Sequence, residues 1–238
     1  MPARTLLVRS LLILTLIATV ANGQPTRIED DSDWWSIQRE DNGPEVEPKH
    51  KSISALNFQI AGVSLGEKQF EQAVAKLGKT EEIERGDAST GRHQVCYQSA
   101  KDGEKLHLIF EFGEVEETFY LFADGKDWEG SDRCARSKLV TASLRTASGL
   151  RLGLTRSQVE TILGPPDFVS GERIVYSREV RRKTTPREFE QMRKDYPRVL
   201  RDEEAHAQFD FFDVGMYIEA KFVNSKLNYL AVSREETD

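Results

Sequence analysis

The chain has 238 residues, of which 38% are hydrophobic and 31% charged, values that are ordinary for a soluble globular protein. Its formal net charge of −7 argues against a nucleic-acid partner, which would require a basic face. The length suits one large domain or two small ones.

The first segment, residues 1–23, has the pattern of a cleavable signal peptide. Arg4 and Arg9 precede a short apolar run, and the small residues Ala21 and Gly23 stand at the −3 and −1 positions of the expected cleavage site. A membrane anchor is the alternative, but a membrane span needs about 20 apolar residues. We therefore expect no membrane span and an extracytoplasmic mature chain, periplasmic or secreted.

Residues 24–52 form a polar, acidic segment that contains Pro44 and Pro48. Such a composition buries too little apolar surface to offset the entropy of ordering, so we expect a flexible segment. Trp34 and Trp35 are unusual here. They either pack on the protein's own domain or form a short docking motif for a partner.

Two similar stretches organise the rest of the chain. Residues 65–78 read LGEKQFEQAVAKLG, and residues 152–164 read LGLTRSQVETILG. Each stretch predicts a short amphipathic helix that ends at a glycine, in one copy at Gly78 and in the other at Gly164. Thr155 and Gln158 form a capping box at the start of the second helix. The predicted apolar faces consist of Phe70, Ala73, Val74 and Leu77 in the first helix and Val159, Ile162 and Leu163 in the second.

Alternating, aromatic-rich segments follow each predicted helix and indicate strands. We predict strands at 94–98, 106–112 and 117–122 after the first helix, with a loop or short strand at 131–137. We predict strands at 174–177, 208–213, 216–223 and 227–232 after the second helix. The sequence thus predicts an α+β fold with two tandem repeats, 53–140 and 141–238, each a short helical element packed on an antiparallel sheet of three to four strands.

The second repeat carries a predicted helical insertion at 178–207. Thr185 and Glu188 form a capping box around Pro186, and Phe189, Met192 and Tyr196 give one apolar stripe. This is the most basic part of an acidic chain, and either a solvated helix face or a docking surface explains it. The docking surface would suit an acidic protein partner or an anionic membrane surface. The candidate binding residues are Arg182, Arg187, Arg193 and Arg198.

Cys96 and Cys134 are the only cysteines of the chain. An oxidising compartment favours a disulfide between them, and two buried free thiols are the alternative. A metal site is not expected, because two isolated cysteines lack the paired spacing that zinc sites show.

No catalytic pattern is found in the sequence. His50, His93, His107 and His206 are scattered, and no HExxH, GxSxG, CxxC or phosphate-binding glycine loop is present. We expect neither enzymatic activity nor a cofactor.

The motif that surrounds the two helices resembles that of a known family. Leu65-Gly66, Leu77-Gly78 and Tyr97, and again Leu152-Gly153, Leu163-Gly164 and Tyr176, resemble the SmpA/OmlA-like small outer-membrane lipoproteins. The tandem arrangement is similar to that of the β-lactamase inhibitor proteins. The resemblance implies the repeat fold and a protein-binding role in the cell envelope. Family lipoproteins carry a lipid-attached cysteine after the signal, whereas Gln24 follows Gly23 here.

These observations predict an exported, non-catalytic protein-binding module of the cell envelope or exterior, with an inhibitor-like activity as one form. The alternatives are a structural envelope component and, less favoured, an enzyme with an unrecognised site.

Overall fold

The computed structural model describes residues 53–85, 91–113, 116–125, 130–131, 133–195 and 209–237. The predicted signal peptide, the acidic segment with Trp34 and Trp35, and the candidate residue Arg198 lie outside the described residues. The described residues form an α+β fold that is mostly antiparallel sheet with three α-helices.

The first half of the described chain begins with a 3-10 turn over Ala55–Phe58 and a small hairpin. A single α-helix then leads into the main sheet. The elements are β1 (Gln59–Ile60), β2 (Val63–Ser64), α1 (Gln69–Leu77), β3 (Glu82–Arg85), β4 (Arg92–Ser99), β5 (Leu106–Phe112), β6 (Glu116–Ala123) and β7 (Ala135–Ser137).

In the second half, a helix is followed by four strands, against five after the helix of the first half, and one more helix lies between the second and third of these strands. The elements are α2 (Arg156–Leu163), β8 (Phe168–Ser170), β9 (Arg173–Lys183), α3 (Pro186–Asp195), β10 (Phe211–Val223) and β11 (Lys226–Thr237). Asn224 and Ser225 have φ values of 50° and 62° and form the tight turn between the last two strands, as predicted.

In the described part of the chain, the two halves share one sheet of nine strands. The strand order is β3-β4-β5-β6-β11-β10-β9-β8, and β7 pairs with β4 in parallel. The last long strand of each half, β6 in the first and β11 in the second, pair with each other antiparallel, from Tyr229 opposite Phe122 to Glu235 opposite Glu116. This central pairing joins the segments that we expected to form two repeats.

The main core lies on one face of the sheet, which we call the helix face because α1 and α2 cover it. Ala73 of α1 and Val159 of α2 are fully buried there against strand residues such as Phe110 and Ile218. On the opposite face, which we call the disulfide face, a second cluster forms around the half-cystines. Its members are Ile83, Cys96, Ile109, Tyr120, Phe122, Cys134, Tyr229 and Ala231.

A buried tyrosine ties each helix end to the sheet in the same way. Tyr97 of β4 donates its hydroxyl hydrogen to the carbonyl oxygen of Gly78 (3.1 Å), and Tyr176 of β9 donates to that of Gly164 (3.0 Å). Both glycines follow a helix directly and have φ values of 109° and 86°, which favour glycine. Burial raises the pKa of Tyr97 to about 12 and raises that of Tyr176 as well.

The helix faces are rotated relative to our predictions. Val74, which we placed on the apolar face of α1, is 37% exposed, whereas Ala73 is fully buried. Ile162 of α2 is 36% exposed and Leu163 is half-buried, so Val159 is the buried anchor of that helix. A helix of nine residues buries only a narrow stripe, and the sheet beneath decides which of two adjacent apolar residues lies in it.

Three strand assignments also differ from our predictions. Strand β9 continues to Lys183, so residues 178–183, which we expected to open the helical insertion, belong to the sheet. The predicted strands at 208–213 and 216–223 are one strand, β10, because its register with β9 and β11 continues through Gly215. A short strand, β3, occupies part of the stretch that we expected to be a polar connection.

Candidate functional site

Three strands of the second half are longer than β6, the strand of the first half that pairs with β11 at the centre of the sheet. Strands β9, β10 and β11 have 11, 13 and 12 residues, whereas β6 has 8. Pairing with β6 ends at Glu235, which lies in register with Gly215 of β10 and, through it, with Glu179 of β9. The segments that run past this point, 180–195 and 209–214, are called the arm from here on.

Helix α3 stands at the end of the arm and is held by a hydrogen-bonded start. The Glu188 amide donates to the Thr185 hydroxyl (3.3 Å), and the Glu188 carboxylate accepts from the Thr185 amide (2.8 Å). This is the predicted capping box, with Pro186 as the first helical residue. The start of α3 is therefore determined locally by its own sequence.

Arg182 fixes the position of α3 on the arm. Its guanidinium donates two hydrogen bonds to the Glu188 carboxylate (3.0 and 2.9 Å) and also pairs with Glu236 of β11. The same guanidinium lies over the ring of Phe212, 4.6 Å from its centroid. A bidentate, stacked arginine is strongly oriented. Arg182 thus connects α3 to two strands inside the protein, although we predicted it as a binding residue.

The hydrogen bonds from Arg182 lower the pKa of the Glu188 carboxyl to about 2, and hydrogen bonds from Thr185 act in the same direction. A carboxyl whose pKa is lower in the folded than in the unfolded state favours the folded form above its ordinary pKa. This contribution is lost as the pH falls from about 4.5 towards 2. The attachment of α3 is therefore acid-sensitive.

The outer side of α3 is exposed and basic. Phe189 and Met192 are half-buried, whereas Arg187, Arg193 and Lys194 are exposed. These three cations make no ion pair with any residue in the described ranges. None of the α3 side chains that the structure describes is fully buried, so α3 adds little to the core. Two of the four predicted binding residues, Arg187 and Arg193, are thus exposed on α3.

The disulfide face of the second half carries carboxylates that our sequence analysis missed. Glu179, Gly215, Glu235 and Glu116 lie side by side across β9, β10, β11 and β6. They line a cavity of about 370 Å³ that also includes Tyr217. The alternation within each strand predicts which face a residue occupies, but the row depends on register between distant strands, which no local signal gives.

The disulfide of the first half joins Cys96 of β4 to Cys134, with Cα atoms 4.8 Å apart, as predicted. The ring of His107 lies beside the two sulfurs, and ligand atoms of the three residues lie within 4.8 Å of one another. Because the sulfurs are bonded to each other, they are not available as thiolate ligands.

His107 lines a cavity of about 560 Å³ next to this disulfide. The buried imidazole Nε2 lies 2.9 Å from Asp124 Oδ1, and the Asp124 carboxylate also accepts the Gly130 amide (2.8 Å). A side chain on Gly130 would collide with the imidazole ring, so this position requires glycine. The Ser99 hydroxyl in the same cavity donates to Glu104 (2.6 Å) rather than to His107. The Asp124 carboxylate thus connects the imidazole of His107 to the Gly130 amide.

Comparisons with family models, with curated proteins and with solved structures find no match to this chain. None of the helices in the described ranges has the length and hydropathy that a membrane span requires. The functional argument therefore rests on the geometry of the chain itself.

Proposed function

We propose that this chain is an exported, non-catalytic protein-binding module and that the arm with α3 is its binding element. One observation carries the proposal. Arg182 holds α3 in place through two hydrogen bonds to Glu188, yet none of the described side chains of α3 is fully buried. A helix that adds little to the core but is capped and clamped is arranged to present a surface.

The exposed cations of α3 indicate the charge of the partner. Arg187, Arg193 and Lys194 are exposed, whereas Arg182 is neutralised by two carboxylates. An acidic protein surface would be attracted by the outer cations, and this attraction would weaken with salt. An anionic membrane surface would be attracted by the same cations.

We further propose that the two halves are tandem repeats. The same order of helix, glycine and strands and the paired hydrogen bonds of Tyr97 and Tyr176 support this proposal. If the halves share a scaffold, the element that only one of them has is the better candidate for function. The predicted signal peptide supports a periplasmic or secreted location, and a structural envelope role is the alternative to binding.

The decisive experiment removes α3 without disturbing the sheet. Thr184 donates its amide hydrogen to the carbonyl of Asp210 (2.9 Å), so these residues can be joined by a two-residue Asn-Gly turn in place of residues 185–209. The chain of residues 24–238, with and without this change, would be used to capture proteins from an extract of the cell envelope. We expect the shortened chain to keep its melting temperature and to lose its captured partner.

A charge variant with a matched control sharpens the experiment. Arg187→Glu, Arg193→Glu and Lys194→Glu together should weaken binding of the purified partner at least tenfold at low salt. The control changes the exposed residues Lys101, Lys138 and Lys226 to glutamate, which gives the same net charge away from the arm. Equal loss in both variants would indicate a general charge effect, and unchanged partner capture by the shortened chain would contradict the proposal.

A further inference from the structure

The outer edge of β9 is only partly covered in the described chain. Strand β8 pairs with β9 over three residues, from Arg173 to Val175. At the end of this pairing, Asp167 donates its amide to the Val175 carbonyl (2.9 Å) and accepts the Ser177 amide with its carboxylate (2.8 Å). Beyond Ser177, β9 continues for six more residues along the arm.

The direction of the backbone groups along this edge follows from the antiparallel pattern. Residues of an antiparallel strand direct their N–H and C=O groups alternately to one neighbour and to the other. Val175 and Ser177 direct theirs outward, so Glu179, Arg181 and Lys183 do the same, whereas the even-numbered residues bond to β10. No residue in the described ranges pairs with these three outward positions.

We propose that this edge, Glu179 to Lys183, binds an extended acidic segment of the partner protein as an additional antiparallel strand. The proposal rests on the proposed function and specifies how the arm recognises its partner. Strand addition supplies backbone hydrogen bonds for affinity, and the alternating side chains give specificity. Antiparallel addition matches the direction of all neighbouring pairs along β8, β9 and β10.

The charges of the edge define the sequence that fits it. The side chains of Glu179, Arg181 and Lys183 lie on the disulfide face of the sheet, directly opposite every second residue of an added strand. An acidic residue opposite Lys183 and a basic residue opposite Glu179 would complement two of these charges. Arg181 pairs with Asp213 of β10 (3.2 Å), and an acidic residue opposite Arg181 would share its guanidinium. The motif, written from N- to C-terminus, is therefore acidic-x-acidic-x-basic.

A second copy of this chain fits the edge poorly. A two-fold antiparallel pairing centred on Glu179, Arg181 or Arg182 places that residue opposite itself. Centring on Val180 pairs Glu179 with Arg181 but also places Arg178 opposite Arg182 on both sides of the centre. Like charges directly opposite each other are destabilising. Charged edge strands also protect proteins against such self-pairing. The same charges that exclude a copy admit an acidic strand.

The test uses a synthetic strand and the whole mature chain, residues 24–238. The probe is a blocked fluorescent heptapeptide, Thr-Asp-Val-Glu-Val-Lys-Thr, whose Asp, Glu and Lys would lie opposite Lys183, Arg181 and Glu179. A second peptide has its glutamate amide N-methylated, which removes one edge hydrogen bond but keeps the charge. A third peptide has lysine in place of both acids and glutamate in place of lysine.

We expect saturable binding of the first peptide by anisotropy and at least fivefold weaker binding of the other two. Hydrogen exchange of the Glu179, Arg181 and Lys183 amides should slow when the first peptide is added. Equal affinity for the N-methylated peptide would show binding by charge alone and would overturn the proposal. So would an absence of binding at millimolar peptide.

A protein variant tests the same contact from the other side. Arg181→Pro removes an outward donor while the bonds of β9 to β10 are made by the even-numbered residues, and Pro is tolerated at such edge positions. It should weaken the first peptide at least fivefold. Arg181→Thr keeps the backbone N–H donor and should weaken peptide binding less than the proline variant does. If the proline variant does not fold, the threonine variant is measured in its place. Partner capture that is lost without α3 but kept in Arg181→Pro would overturn strand addition and leave the proposed function intact.

Discussion

The two halves of the sheet begin in a similar way and end differently. In the first half, residues 100–105 connect β4 directly to β5, and a disulfide joins Cys96 of β4 to Cys134. In the second half, β9 and β10 continue past their neighbours and carry α3. The shared parts, a glycine after the helix and a buried tyrosine beside it, build the scaffold. The unshared arm adds little to the core, so it is the better place to look for function.

We expect the largest loss of stability from substitutions of the two buried residues that hold α1 and α2 on the sheet. Val159→Asp and Ala73→Asp each place an unpaired charge in the fully buried interface between helix and sheet. We expect each to lower the free energy of unfolding by about 3–5 kcal/mol. Val74→Asp is the control, because that side chain is 37% exposed, and it should change stability by less than about 0.5 kcal/mol. Urea unfolding measures all three, and a costly Val74→Asp would contradict the orientation of α1.

The disulfide is the next largest difference between the halves. Cys96→Ala with Cys134→Ala opens a loop with a sequence separation of 38. The chain-entropy estimate for closing such a loop is about 4 kcal/mol, and the measured loss is expected between about 2 and 4 kcal/mol. The melting temperature of the double variant, compared with that of the oxidised parent, gives the answer. A stable double variant with an unchanged melting temperature would show that the bridge does not hold the first half together.

The two tyrosine hydroxyls test whether corresponding hydrogen bonds in the two halves contribute equally to the free energy of unfolding. Tyr97→Phe and Tyr176→Phe each leave a glycine carbonyl without its side-chain donor. We expect a loss of about 1–2 kcal/mol for each, similar in the two halves. Denaturant unfolding of both single variants and of the double variant checks this expectation. If one substitution were neutral and the other costly, the correspondence of the two halves would be limited to geometry.

The smallest effect concerns the arm alone. Protonation of Glu188 removes the negative charge that pairs with Arg182 and converts one of its two acceptor oxygens into a hydroxyl, so helical signal from α3 should be lost as the pH falls from about 4.5 towards 2 while the sheet remains. Circular dichroism of the parent against Glu188→Gln measures this. The variant should already lack that part of the signal at pH 7 and change less on acidification. Identical acid curves for the two proteins would show that α3 does not depend on this pair.

The sequence by itself determined the features that depend on neighbouring residues. The glycine ends of α1 and α2, the capping boxes at Thr155 and Thr185, and the turn at Asn224 and Ser225 all follow from local backbone chemistry. The disulfide followed from two lone cysteines together with the predicted export of the chain. These signals act over a few residues or through composition, so they can be read without the fold.

Only the tertiary structure decided how these pieces combine. The pairing of β6 with β11 merges the two halves into one sheet, and no local pattern specifies a partner more than a hundred residues away. The sheet beneath α1 selected Ala73 over Val74, which the helical period does not distinguish. The fold also divided the basic residues of the arm by their neighbours. Arg182 meets Glu188 and Glu236 and becomes part of the framework, whereas Arg187 and Arg193 face solvent, because charge in a sequence carries no information about which opposite charge the fold will bring beside it.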